Sequence, residues 1–132
     1  MSGQAGDWTA TVSLAALVAA FSFKHFLADF LLQNRWIALG KGCRAGWVGP
    51  LAAHAGIHAA LALALILLVR PSLWWLAPVD LVVHFTIDRG KTLASLWGRW
   101  TPEHAPYWWL FGFDQFLHQL TNTGLALALV AF

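Results

Sequence analysis

The segment PLAAHAGIHAALALALILLV, residues 50–69, is long and apolar enough to cross a bilayer as a helix. The apolar layer of a membrane, ~30 Å thick, takes about 20 helical residues. The only ionisable side chains in the segment are His54 and His58. Residues four apart share one face of a helix. The segment therefore predicts a membrane-spanning helix that carries a polar stripe, and the stripe needs an explanation.

The composition of the whole chain agrees with a membrane location. Hydrophobic residues make up 59% of the sequence and charged residues 11%, and the mean hydropathy is +0.62. Soluble domains usually carry about 25% charged residues, so the chain is too apolar for one. Three further stretches are long enough to span, at residues 12–32, 73–90 and 107–132. We therefore expect a single all-α domain over residues 1–132, an integral membrane bundle of four transmembrane helices in contact with the lipid bilayer.

The tryptophans and the basic residues agree with this division. Indole rings prefer the interface between membrane and water, and none of the nine lies in the middle of a predicted span: Trp8, Trp36, Trp47, Trp74, Trp75, Trp97, Trp100, Trp108 and Trp109. Short loops rich in Lys and Arg face the cytoplasm. The loop after the first span holds three such residues, and three more lie at the end of the third span and in the loop after it, whereas the second loop holds only Arg70. We therefore expect both termini to lie outside the cytoplasm.

Each predicted span contains one pair of polar residues four positions apart. The pairs are His25 with Asp29, His54 with His58, His84 with Asp88, and Asp114 with His118. At a rise of ~1.5 Å per residue, all four pairs fall in the cytoplasmic half of the bundle. Each helix can direct both members of its pair inward, because the members share one face. The spacing therefore predicts a polar core of five imidazoles and three carboxylates around one axis.

The carboxylates of this core require compensation. An ionised aspartate inside a membrane costs roughly 3 kcal/mol. A purely hydrogen-bonded polar core is one interpretation, but a metal centre fits better, because divalent transition metals prefer imidazole and carboxylate ligands. We expect all eight residues to bind one or two divalent ions, with zinc first and iron or manganese as alternatives. Haem ligation by facing histidines would leave the aspartates unexplained.

Other polar residues continue the same helix faces. Three of them are candidates for holding the ligands in orientation through hydrogen bonds: Gln33, Asp80 and Asn122. Lys24 is deep in the first span, where it either forms an ion pair with Asp80 or extends toward water. Lys91 and Arg89 are candidates for binding an anionic group of a substrate, and the alternative role for Lys91 is a simple positive anchor at the cytoplasmic surface.

Four segments of the chain carry a family resemblance. They are HFLADFLLQ (25–33), HAGIH (54–58), HFTIDRGK (84–91) and FDQFLHQ (113–119). In type and order they closely resemble the signature segments of a family of small bacterial membrane proteins known as domain of unknown function 3307, over about residues 22–125. The resemblance implies a multi-pass protein of the bacterial inner membrane and supplies no activity. More distantly, the histidine and aspartate pairs look like those of the LexA-regulated membrane-bound metal-dependent hydrolases.

These observations favour a metal-dependent hydrolase. We expect a metal-activated water to attack a lipid or lipid-linked ester or phosphoester, with Asp29, Asp88 or Asp114 as bridging ligand or proton acceptor. The alternative is a metal-ion or proton transporter that uses the same cluster. The outer halves of the first, second and fourth spans are almost entirely aliphatic or aromatic, which favours a site open to one side. The sequence contains no motif for nucleic-acid binding and leaves the oligomeric state open.

Overall fold

The computed structural model describes the backbone of residues 3–132, together with the side chains of residue 11 and residues 13–132. Trp8, one of the tryptophans predicted to lie at a membrane interface, falls outside the described side chains. Within the described part the chain forms helices and loops without strands, so the predicted all-α class is confirmed. The helices are α1 Gly3–Phe26, α2 Arg35–Gly40, α3 Val48–Val69, α4 Leu76–Gly98 and α5 Ala105–Ala131.

Two helical stretches are long and apolar enough to cross a membrane, Ser13–Leu31 and Val48–Val69. Both coincide with predicted spans. The helices α4 and α5 are also long, at 23 and 27 residues, but their polar and ionisable side chains lower their hydropathy. Length and composition alone therefore identify two candidate spans among the described residues, rather than the four predicted.

The helix boundaries differ from the predicted spans at several places. Helix α1 begins at Gly3 rather than near residue 12, and α5 begins at Ala105 rather than at residue 107. Pro71–Leu73 form a 3₁₀ turn, so α4 begins at Leu76 rather than at Leu73. It then continues to Gly98, well beyond Gly90, because good helix-forming residues follow the apolar part. The short helix α2 was not predicted. The side chain of Asn34 caps it by accepting a hydrogen bond of 2.9 Å from the backbone N–H of Ile37.

The end of α1 has an unusual backbone. Leu27–Leu31 continue the helix as a π-helical turn, in which the N–H of Leu32 donates to the carbonyl of Leu27 at 2.9 Å. Such wide turns are rare and occur frequently at functional sites. This one contains Asp29, a predicted ligand, and a composition of leucine, alanine and phenylalanine gave no sign of it.

The four long helices form a ring. The principal contacts join α1 to α3, α3 to α4, α4 to α5, and α5 back to α1. At the end where α3 stops and α4 begins, the space between them is filled by an apolar core: Phe21, Ala62, Ile66, Leu76, Ala77, Leu125, Ala126 and Leu129. Many large apolar side chains also face outward, among them Phe30, Leu68 and Val82, each more than half exposed. Apolar surface of this extent is typical of a protein surrounded by lipid or by a partner.

Candidate metal centre

All eight predicted ligands lie together at the end of the bundle opposite the apolar core. We call these residues, the four pairs of the sequence analysis, the His/Asp cluster. They come from the end of α1 and its π turn, the first half of α3, the middle of α4 and the first half of α5. His54 and His58 have no exposed surface, and only His25 and Asp29 retain partial exposure. The helix spacing thus directs all four pairs inward.

Asp29 is surrounded by imidazole rings. Its Oδ2 lies 3.0 Å from Nε2 of His25, and its Oδ1 lies 3.0 Å from Nε2 of His58. Nε2 of His54 is 3.3 Å from the same Oδ1. Among the described residues Asp29 has no Lys or Arg at ion-pairing distance. Histidine side chains are therefore the close partners of this carboxylate, and no permanently charged cation accompanies it within the described residues.

Asp88 is the second carboxylate around which ring nitrogens gather. Its Oδ1 lies 3.0 Å from Nε2 of His118 and 3.9 Å from Nε2 of His84. Its Oδ2 lies 3.4 Å from Nε2 of His54 and accepts a hydrogen bond of 3.2 Å from Nζ of Lys41. His54 therefore stands between two carboxylates, Asp29 on one side and Asp88 on the other.

Asp114 has one occupied oxygen and one without a hydrogen bond. Oδ2 accepts from Nζ of Lys91 at 2.9 Å and from the side-chain amide of Gln115 at 3.1 Å. Oδ1 is buried, lies 3.5 Å from Nε2 of His118, and has no hydrogen-bond partner in the described part of the chain. Because unpaired buried oxygen atoms are costly, this oxygen is a candidate ligand or proton acceptor.

The imidazole rings are packed against one another. The ring centroids of His58 and His84 are 3.7 Å apart and nearly parallel, and those of His84 and His118 are 4.1 Å apart. The His25 ring lies 5.0 Å from the rings of both His58 and His118. Positive charge on adjacent rings at such distances is strongly unfavourable. The packing therefore disfavours positive charge on both members of an adjacent pair, and the neutral ring is the form in which histidine binds metal.

Several nitrogen atoms of these rings have no hydrogen-bond partner within the described residues. They are Nδ1 of His54, Nδ1 of His58, Nε2 of His84 and Nε2 of His25, whose approach of 3.0 Å to Asp29 lacks the angles of a hydrogen bond. Nε2 of His54 is 2.9 Å from Nζ of Lys41. An ammonium group can only donate, so this nitrogen presents a lone pair, as a metal ligand must.

The ligand atoms form three overlapping groups, in each of which all atoms lie within 4.8 Å of one another. The groups are Asp29 with His54, His58 and His84; His25 with His84 and His118; and Asp88 with Asp114 and His118. Ligands of a tetrahedral zinc ion are separated by roughly 3.3 Å, given bond lengths of about 2.0–2.1 Å. Small side-chain rotations would therefore bring these donors to coordination distance, and His84 and His118 are shared between groups.

The residues predicted to orient the ligands have more varied roles. Gln33 donates from Nε2 to the backbone carbonyl of Asp29 at 3.0 Å, so it holds the π turn rather than a ligand side chain. Asp80 forms a buried ion pair of 2.9 Å with Lys24, as predicted for this pair. Among the described residues no hydrogen bond joins Asp80 to His84. Asn122 is buried below the cluster, and its Nδ2 has no partner in the described part.

Lys91 and Arg89, the predicted binders of an anionic group, point to different surroundings. Lys91 reaches the cluster through its hydrogen bond to Asp114. Arg89 does not, because its guanidinium stacks 3.8 Å above the ring of Trp47 and donates from Nη1 to the carbonyl of Cys43 at 3.3 Å. Two residues along a helix correspond to a rotation of about 200°, which places the two side chains on opposite faces of α4.

Lys41 is the polar contact that the sequence analysis missed. It follows α2 and reaches across to Asp88 and His54. From the sequence, Lys41 is one of the basic residues of a loop. The sequence offers one sign of this role, because Lys41 lies between two glycines in the connection between two ligand-bearing helices. The direction of the Lys41 side chain, however, depends on the path of the loop.

Two cavities adjoin the cluster at Lys91. One of about 320 Å³ is lined by polar and aromatic residues that include Thr92, Ser95 and Tyr107. The other, of about 350 Å³, is an apolar groove between α4 and α5, lined by Ile87, Leu110, Phe113 and Leu117 with Lys91 and Asp114 among its walls. A molecule in the groove would contact both the outer apolar surface and a carboxylate of the cluster.

Comparison with known proteins gives one match. A family model described as "Protein of unknown function (DUF3307)" matches residues 17–129. This confirms the resemblance seen in the four segments. Neither the curated proteins nor the solved structures contain a match, and the distant likeness to membrane-bound hydrolases remains an expectation from the sequence.

Proposed function

Because the chain belongs to the DUF3307 family, whose description assigns no activity, we propose a function from its own residues. We propose a membrane-embedded metal-dependent hydrolase that acts on a lipid or lipid-linked ester or phosphoester. The observation that carries this proposal is the convergence of eight imidazole and carboxylate side chains into three overlapping groups of donor atoms. The bundle crosses the membrane with all four long helices, and the His/Asp cluster lies toward the cytoplasmic face.

A first ion would be held by Asp29, His54, His58 and His84. Three nitrogens and one oxygen form a ligand set that suits tetrahedral zinc, with iron and manganese as alternatives. The charge of Asp29 supports this position, because only imidazoles surround it. A carboxylate in a membrane interior is costly unless it is paired. A divalent ion compensates it directly.

A second ion fits the group of Asp88, Asp114 and His118. His54 lies within 3.4 Å of carboxylate oxygens of both Asp29 and Asp88, so the two positions are adjacent. Two ions close together are a recurrent arrangement in enzymes that cleave phosphoesters. The site therefore suits either one ion, with the remaining residues hydrogen-bonded to its ligands, or two ions that divide the ligands between them.

Different residues of the cluster would have different roles in hydrolysis. A divalent ion at this site supplies Lewis-acid activation of a water molecule and of the scissile group. Asp29 and Asp88 hold the donors in place, since each is surrounded by ring nitrogens. In the one-ion arrangement, in which Asp114 is not a ligand, its Oδ1 would accept the proton of the attacking water while the new bond to carbon or phosphorus forms, and would then pass that proton to the leaving oxygen. Lys91 fixes the other oxygen of Asp114.

The apolar groove between α4 and α5 supports an amphiphilic substrate. Its walls are apolar side chains, and Asp114 lies along it. An acyl or isoprenoid chain could lie in the groove while the adjoining polar cavity near Thr92 and Ser95 holds the head group. Such a substrate would enter the groove directly from the lipid, without leaving the membrane.

The apolar core favours a hydrolase over a conducting protein. Beyond the Lys24–Asp80 ion pair, the interior is occupied by side chains such as Phe21, Ile66 and Leu125, all buried. Conduction requires polar groups or water along the whole path. A site that is polar at one end and closed by apolar packing at the other suits binding and catalysis.

Metal analysis of the purified protein tests the site. Protein prepared without chelators is expected to retain about one or two transition-metal ions per chain, by elemental analysis. His58→Ala should lose at least one ion. His104→Ala is the matched control, because His104 lies in the loop before α5 and contacts Thr101 rather than the cluster. Equal metal content in the two variants would contradict the proposed site.

An assay with lipid phosphates and carboxylic esters then tests catalysis. Asp114→Asn keeps the size of the side chain and removes its ability to accept a proton. We expect kcat to fall about 10²–10⁴-fold, the usual contribution of a general base, whereas the exposed Glu103→Gln should not change it. Metal-loaded protein that hydrolyses none of these substrates would leave the metal site standing and overturn the hydrolase.

A further inference from the structure

Three arginines converge on a pocket that is separate from the His/Asp cluster. The pocket has a volume of about 420 Å³ and is lined by Arg44, Arg89, Leu93, Leu96, Trp97 and Arg99. We call it the arginine pocket. None of its lining residues belongs to the cluster, and no carboxylate is among them. It lies at the same end of the bundle, where α4 stops.

The sequence brings the three side chains together from different directions. Arg89 and the apolar residues of the pocket form one stripe of α4, at spacings of four, seven and eight residues. Arg44 comes from the loop after α2. Arg99 ends α4 in the left-handed conformation, with φ of 53°, and turns the chain back toward the pocket. Glycine is the residue that usually occupies such a position, because a side chain there costs about 1–2 kcal/mol.

Arg89 is held in a fixed orientation at the wall of the pocket. Its guanidinium stacks on Trp47 at 3.8 Å, and Nη1 donates to the carbonyl of Cys43 at 3.3 Å. A guanidinium carries five N–H donors, so most of them remain for a ligand. A pre-oriented arginine is well suited to bidentate binding of a phosphate.

The charges of the pocket are not neutralised by the protein. The lysines Lys24, Lys41 and Lys91 each pair with an aspartate. In contrast, none of the three arginines of the pocket forms an ion pair with a carboxylate of any described residue. Three like charges in one concavity repel one another. An anion that binds all three removes this repulsion, and the convergence of three unpaired arginines on one concavity is the reason for assigning the pocket a ligand.

The surroundings of the pocket indicate where the anion comes from. The ring of Trp97 is 90% exposed, and Leu93 beside it is 51% exposed. Exposed indole and aliphatic groups next to basic residues are typical of the boundary between lipid head groups and acyl chains. We propose that the arginine pocket binds the phosphate of an anionic phospholipid head group, with Trp97 and Leu93 against the start of its acyl chain. This site shares the membrane placement of the proposed function but not its metal chemistry.

Lipid binding by the purified full-length protein tests the proposal. Native mass spectrometry in a neutral detergent would compare phosphatidylglycerol, phosphatidylcholine and inorganic phosphate as probes. We expect phosphatidylglycerol to be retained and phosphatidylcholine not. Each arginine near a charged lipid contributes about a factor of five in affinity, so Arg44→Gln and Arg99→Gly should each weaken phosphatidylglycerol binding about fivefold.

The Arg99→Gly variant is chosen so that misfolding does not imitate the result, and two further variants control for net charge. Arg99→Gly places glycine where φ is positive, so it should not reduce the unfolding temperature. Arg35→Gln and Arg70→Gln remove arginines outside the pocket and serve as controls for net charge. Metal content reports separately on the His/Asp cluster and is expected to be unchanged in all of these variants.

Three outcomes would overturn the proposal. Equal retention of phosphatidylglycerol and phosphatidylcholine would remove the role of the anionic head group. Equal weakening by Arg99→Gly and Arg35→Gln would show that net charge, rather than the pocket, determines binding. Displacement of the lipid by inorganic phosphate at a similar concentration would assign the pocket to a soluble anion instead.

Discussion

The ammonium group of Lys41 and a divalent ion compete for the same atoms. Nζ contacts Oδ2 of Asp88 and Nε2 of His54, and both are candidate ligand atoms. A hydrogen bond to a charged group contributes about 1.5–3 kcal/mol, which an ion must displace. Lys41→Met should therefore tighten zinc binding about tenfold or more, measured by competition with a chelator of known affinity. Lys41→Arg is the control that keeps the charge. Unchanged or weaker binding by the methionine variant would contradict this competition.

The Lys24–Asp80 ion pair contributes to stability in a different way. Both side chains are almost fully buried, at 3% and 2% exposure. Removing one partner of a buried pair leaves an uncompensated charge and typically costs about 3–5 kcal/mol. Asp80→Asn should therefore lower the free energy of unfolding by about this amount in detergent. The double variant Lys24→Met with Asp80→Leu should recover most of the loss. A single variant as stable as the unchanged protein would show that water reaches the pair.

At the scale of single residues, helix periodicity determined what could be predicted. The eight residues of the His/Asp cluster were identifiable because a spacing of four fixes their common face. The opposite directions of Arg89 and Lys91 follow from the same geometry, since two positions correspond to about 200°. The approach of Lys41 could not be predicted, because it depends on how a loop packs against a helix distant in sequence.

At the scale of elements, the position of α2 depends on a close contact with α3. A Cβ atom added to Gly40 would overlap the ring of Pro50, whereas one added to Gly42 would meet only the carbonyl of Leu39, at 4.0 Å. Overpacking of this kind costs about 1–3 kcal/mol. Gly40→Ala should therefore lower stability, displace Lys41 and alter zinc affinity as Lys41→Met does. Gly42→Ala is the matched control for both measurements, and equal behaviour of the two variants would contradict this role.

The ends of the elements show the limits of hydropathy. The apolar part of α4 finishes near Gly90, yet the helix continues to Gly98. Hydropathy indicates which part of a helix lies in an apolar environment. The end of the helix depends instead on a backbone cap, which in α4 is Arg99 in the left-handed conformation. The π turn Leu27–Leu31 is invisible for a related reason. Its sequence is compatible with an ordinary helix, and the wide turn is recognised by its backbone hydrogen bonds.

At the scale of the whole molecule, Cys43 offers a test of the proposed orientation of the bundle in a membrane. It is the only cysteine and is exposed in the loop between α2 and α3, at the end that carries the His/Asp cluster. The excess of basic residues in the loops at this end predicts a cytoplasmic location. An impermeant thiol reagent should therefore label Cys43 only after the membrane is opened. Labelling in intact cells would invert the orientation and place the cluster and the arginine pocket on the outer side.

The division of the bundle into a polar half and an apolar half separates a catalyst from a conductor. If the protein is a hydrolase, the apolar core only supports the fold. Ile66→Ala should then lower stability by about 2–5 kcal/mol, the usual cost of such a cavity, without changing turnover per folded molecule. A conductor would have its narrowest point in this core, so the same variant would raise the flux of metal or protons into reconstituted vesicles. Flux that depends on Asp88 and increases in Ile66→Ala, without hydrolysis of any lipid ester, would replace the hydrolase with a transporter, because the route through the core would then be part of the function.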